Sequence, residues 1–113
     1  MRQFQQPSRR AAALFLAIGL AALAGPLPAR AADTVITISN FAFTPAEVTV
    51  TVGTKVIFRN GDDTVHSVVA DDGGFHSPAL DSGDEFAFTF VRAGTFSFHC
   101  GLHPFMQGKI IVK

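Results

Sequence analysis

Phe98-His99-Cys100-Gly101-Leu102-His103-Pro104-Phe105-Met106 gathers the only cysteine of the 113-residue chain, a histidine and a methionine into one short stretch near the C-terminus. Before it, Phe96 to Cys100 alternates, so that Phe96, Phe98 and Cys100 share one face of a strand while Ser97 and His99 share the other. After it, Lys109 to Val112 reads as a closing strand. Cys100, His103 and Met106 stand at Cys-x2-His-x2-Met spacing where a strand ends and the chain turns. A rigid sheet can hold one donor at such a place while a tight loop carries others round to it.

The rest of the chain keeps the same period of two. Glu47 to Val52 alternates strictly, with Val48, Val50 and Val52 on one face. Gly53-Thr54 turns the chain into Lys55 to Asn60, where Val56 and Phe58 share a face, and Phe86, Phe88 and Phe90 alternate with Ala87 and Thr89. Thr34 to Ile38 and His66 to Ala70 are further β-rich runs, Asn40 to Pro45 breaks the pattern, and Ala93-Gly94-Thr95 is a hairpin turn. Asp71 to Glu85 is rich in Asp, Gly, Ser and Pro and reads as a long loop with little irregular strand. No helical stripe is found in this region, so the expected fold is all-β, an antiparallel sandwich of about seven or eight strands. Phenylalanines would fill its core with no polar tip to satisfy.

The donor types near the C-terminus select copper. A thiolate and a thioether are soft, imidazole suits both oxidation states, and two histidines with a cysteine and a weak axial methionine make an electron-transfer site; zinc is more often held by four strong donors. A second histidine is needed. His66 opens its own β-rich run after the loop 61–65, and His76, on a loop beginning at Gly73-Gly74, is its rival. His99 should point away from Cys100.

The first 31 residues read as a cleavable export signal rather than part of the domain: Arg2, Arg9 and Arg10 are basic, Ala11 to Leu23 is apolar, and Ala29-Arg30-Ala31 is a small-x-small cleavage site. The apolar run is too short for a good membrane span. The expected mature domain is residues 32–113, exported to the periplasm. It carries five basic and nine acidic residues, a net charge of −4 with neutral histidines, which disfavours nucleic-acid binding. A lone thiol rules out an internal disulfide, so in an exported protein Cys100 is either inert core or occupied by chemistry. A domain this small gains from an added cross-link, which a metal would provide.

Residues 34 to 113 resemble the cupredoxins, the type 1 blue copper proteins, and within them the amicyanins. The resemblance rests on C-G-L-H-P-F-M followed by Q-G-K-I-I-V, with N-F-A-F-T-P, V-G-T-K-V-I-F-R-N and A-G-T-F-S-F-H-C upstream. It implies a Greek-key cupredoxin sandwich, one copper held by His66, Cys100, His103 and Met106, and bracing of the ligand loops by Asn60. Leu102 stands where amicyanins have proline, so an N–H is available there. If it reaches the Cys100 sulfur, Leu102→Pro should lower the reduction potential. Ser67 stands where the family often has Asn, which puts side-chain bracing there in doubt.

The implied function is a monomeric, non-enzymatic carrier of single electrons that leave through the His103 edge among Leu102, Pro104 and Phe105. Its partners would be transient redox proteins, for example a periplasmic dehydrogenase and a c-type cytochrome. The alternative is a periplasmic copper-binding protein for storage or delivery, but such proteins tend to be rich in Met and His, and the mature region has one methionine.

Overall fold

The apolar-polar alternation becomes eight strands in the computed structural model, which describes residues 32–113 and, before them, Gly25 alone. The export segment read at residues 1–31 otherwise lies outside the described residues. The strands are β1 (Thr34–Ser39), β2 (Ala42–Thr44), β3 (Glu47–Val50), β4 (Thr54–Asn60), β5 (Val69–Ala70), β6 (Glu85–Phe90), β7 (Gly94–His99) and β8 (Gln107–Val112). They form two sheets, ordered β2-β1-β4-β6 and β3-β8-β7-β5. Among the described residues there is no helix.

The expected sandwich is present, but its sheets are mixed rather than purely antiparallel. β1 runs parallel to β4, and β3 runs parallel to β8. Pro45 has no N–H to add to a ladder, so the β1–β2 pairing ends at Thr44 and the chain crosses to the other sheet as β3. Alternation along one strand reveals which face is buried; it is blind to the direction of the neighbour.

Inward-facing residues of both sheets make the core. Ile36, Ile38, Val56, Phe58, Phe98 and Ile110 are completely buried. Phe98 makes T-shaped pairs with Phe43 and Phe58 at centroid distances of 4.8 and 5.3 Å. Each such ring contributes about 1.5–3 kcal/mol by leaving water.

Two expected strands are shorter than their sequence pattern. β3 stops at Val50, and Val52 is 47 % exposed because Gly53, at φ 93°, turns the chain towards β4. From the run at His66, only Val69 and Ala70 join a ladder. His66 instead exchanges backbone hydrogen bonds with Leu80, and the Ser77 N–H donates to the Val68 carbonyl. The loop after β5 is thereby packed down, with Phe75 and Leu80 buried.

The β1–β2 hairpin turns through Asn40 and Phe41, at φ 53° and 57°. A bulky side chain in this left-handed region costs on the order of 1–3 kcal/mol, which the surroundings must offset. Because β1 and β4 are parallel, with Ile38 beside Asn60, this tip lies at the end of the sandwich where β4 finishes.

Candidate metal centre

Cys100 follows the last residue of β7 and is completely buried, facing inward as the parity of Phe96 and Phe98 requires. The next residues close on themselves: Met106 N–H donates to the His103 carbonyl at 2.9 Å, and Cys100 N–H donates to the Met106 carbonyl at 3.0 Å. His103 is carried back over the strand end by this turn. His66, also completely buried, arrives from the other side, fixed by its backbone bonds to Leu80.

Three donor atoms converge. Cys100 Sγ lies 3.7 Å from His66 Nδ1 and 3.8 Å from His103 Nδ1, and the two nitrogens are 3.2 Å apart. The centre of a triangle with these edges is about 2.1 Å from each corner, the bonding distance of a first-row ion to imidazole nitrogen and close to that for thiolate. Two imidazoles and one thiolate in a trigonal set suit copper in either oxidation state. This is the metal-ligating cluster found among the described residues.

A shell of hydrogen bonds holds the donors. His66 Nε2 lies 2.9 Å from Asp62 Oδ2; an ionised carboxylate only accepts, so Nε2 carries the proton and Nδ1 keeps a free lone pair towards the cluster. Asp62 also accepts from the Asn40 and Phe41 N–H groups at 2.7 and 2.9 Å. The Phe41 N–H, helped by the His66 ring and Asn40, holds the Asp62 carboxyl below the usual range against the opposing effect of burial. Asn60, completely buried, donates to the Thr64 and Leu80 carbonyls and accepts from Asp62 N–H, so it braces the loop that carries His66.

Ser67 braces too, despite being shorter than Asn. Its hydroxyl accepts from Gly101 N–H at 3.0 Å, and its own N–H donates to Cys100 Sγ at 3.4 Å. Leu102 does not supply the donor expected of it: among the described residues, the backbone N–H on the sulfur is Ser67's. Leu102 is 52 % exposed on the outer turn, so the lowering of potential expected for Leu102→Pro has no hydrogen bond behind it.

The remaining candidates separate clearly. Met106 is buried, directly after the His103 turn. His76 is exposed, bridges Val69 and is not among the three converging donors. His99 points outward, as expected, with Nδ1 2.6 Å from Asp71 Oδ1. Sequence reasoning missed Asp62, which entered only as one of the nine acidic residues, and Phe41, which entered only as part of the break at Asn40 to Pro45. Asp62 stands four residues before His66, a spacing that signals nothing outside a helix.

The cupredoxin-like domain family matches residues 10–112. The chain belongs to the cupredoxin-like family. This cupredoxin is 31 % identical to amicyanin from Paracoccus denitrificans over 70 % of its own length and 64 % of that protein's, so it spans somewhat under two thirds of that relative. Amicyanin-alpha from Methylorubrum extorquens is 29 % identical, with 86 % of each chain covered. Among solved structures, a methionine-to-alanine variant of amicyanin in its Cu(I) form superposes with a TM-score of 0.67 at 31 % identity, covering 72 % of this chain and 82 % of that one. A purple cupredoxin from Nitrosopumilus maritimus superposes with a TM-score of 0.66 at 27 % identity, covering 72 % of this chain and all of the other.

Proposed function

We propose that this cupredoxin is a periplasmic electron carrier that holds one copper ion with His66, Cys100, His103 and Met106, and that it has no catalytic centre. The observation that carries the reading is the convergence of two imidazole nitrogens and one thiol sulfur within 3.8 Å of one another on a braced scaffold. Copper bound there would take up and release one electron. The chain's own contribution is to keep the donors in one geometry for both oxidation states, which lowers the reorganisation that each transfer requires. Burial of Cys100, His66 and Met106 supports a closed donor set with no open position for a substrate.

His103 is the donor nearest the surface, and beside it Leu102 and Phe105 are 52 % and 70 % exposed. An apolar rim around an imidazole edge fits brief docking to redox partners; a periplasmic dehydrogenase and a c-type cytochrome fit the resemblance to amicyanins. The periplasmic location rests on the export-like composition of residues 1–31.

The test is spectroscopic. Copper-loaded protein should show an intense visible thiolate-to-copper band that bleaches on reduction and returns on reoxidation. Colourless protein with an alkylatable Cys100 overturns the reading, whereas copper lost rapidly to a chelator points to storage or delivery. Met106 has its own test. Replacing a weak axial donor by Met106→Leu should raise the potential by about 60 mV or more, a tenfold change for one electron. An unchanged potential would leave Met106 as core packing.

A further inference from the structure

Asn40 and Phe41 form the two-residue turn of the β1–β2 hairpin with both residues in the left-handed region. Asn-Gly makes that turn without strain, so nothing in the turn itself calls for phenylalanine. The ring has an unusual position. It stands edge-on to both histidines, 5.2 Å from the His66 centroid at 88° and 5.2 Å from the His103 centroid at 89°. The residue is 41 % exposed.

One side chain holds the turn there. The Asp62 carboxylate accepts from both turn N–H groups, one on each oxygen, and the oxygen that takes Phe41 N–H also takes His66 Nε2–H. The hairpin tip and a donor of the cluster therefore share a single acceptor. Strain retained at one residue beside a functional site, and secured by a group that also touches that site, indicates a function for the side chain so placed.

We infer that Phe41 is a lid over the copper centre and that Asp62 is its latch. This rests on the copper reading above. The ring covers the gap between the two imidazoles, the route by which water or a small chelator would reach the metal. Asp62 acts as a positioning residue: it sets the lid and the His66 tautomer together, so the lid closes only over a correctly oriented ligand.

The experiment separates a lid from a structural turn by measuring two quantities that should move in opposite directions. Phe41→Gly restores an Asn-Gly turn, so the metal-free variant should unfold at the same or higher urea concentration than the parent. Transfer of Cu(I) from the reduced variant to bathocuproine disulfonate should nevertheless be about tenfold faster, at the lower end of what loss of a partner around the ligands costs. Asp62→Ala should also speed transfer. Because part of its effect passes through Phe41, the two changes together should accelerate transfer by less than the product of the single effects.

Equal transfer rates for the parent and Phe41→Gly overturn the lid. A fall in metal-free stability that parallels faster transfer also overturns it, since the turn would then be merely structural. Single effects that multiply fully overturn the latch. If Asp62→Ala does not fold, Phe41→Gly decides the lid and Asp62→Asn takes the place of Asp62→Ala in the comparison that decides the latch. A parent protein that takes up no copper removes the metal centre itself, a failure visible before any variant is compared.

Discussion

A single amide shows how the site depends on residues that never touch a metal. Asn60 makes three hydrogen bonds from a completely buried position, to Thr64, Leu80 and Asp62. Asn60→Ala would take this partner from the Thr64 carbonyl and the Asp62 N–H, while the Leu80 carbonyl keeps the His66 N–H. At about 1–3 kcal/mol for each buried group left unpaired, and less where water reaches the partly exposed Asp62 end, the loss should total about 2 kcal/mol. Urea unfolding of the metal-free protein measures it, and a loss under about 1 kcal/mol would show that water replaces the amide. The place of Asn60 was legible through the family resemblance, because it ends a recognisable strand. The bracing by Ser67 was not: a short hydroxyl reaches the ligand loop only because the facing residue is Gly101, where a Cβ would come within 2.8 Å of the Ser67 oxygen. Two residues 34 apart had to be seen together before either made sense.

At the level of strands, β7 and β8 are the pair that carries the turn bearing His103, since Cys100 follows one and Met106 precedes the other. Their pairing sets Phe98 opposite Gly108, and a Cβ at Gly108 would meet the Phe98 ring at 2.5 Å and the Ala46 carbonyl at 2.7 Å. Neither neighbour can yield cheaply: the ring is locked in the core, and the carbonyl accepts from Lys109 N–H. Gly108→Ala should therefore cost about 1–3 kcal/mol, as overpacking does elsewhere. Thermal unfolding of the metal-free variant is the check, and an unchanged midpoint would mean that β8 shifts freely. Seven of the eight strands were legible as alternating or β-rich runs, because such runs bury apolar side chains. β2 was hidden and β5 was expected to begin at His66, for different reasons. The tip before β2 lacks the glycine that marks such turns, and the residues before β5 exchange their hydrogen bonds with a loop instead of a strand.

The whole domain has no disulfide, since its one cysteine is free, and the expected mature region is only 82 residues long. The local runs do not encode which strands pair in parallel, because β1 with β4 and β3 with β8 join segments distant in sequence. The donor cluster draws on some of these distant parts: His66 comes from the loop after β4, in the first sheet, and Cys100 from the end of β7, in the second. An ion bound by the folded state alone shifts the folding equilibrium by mass action, about 4 kcal/mol when it is present at a thousand times its dissociation constant. For a domain of this size each kcal/mol raises the midpoint by about 4–8 °C, so copper should raise it by roughly 15–30 °C. Cys100→Ala keeps a small apolar group in the core but removes the thiolate, and its midpoint should move by no more than a few degrees on adding copper. Differential scanning calorimetry of both proteins, with and without copper, makes the comparison. Equal shifts in the two would mean that copper binds elsewhere, and the buried thiol would then be ordinary core.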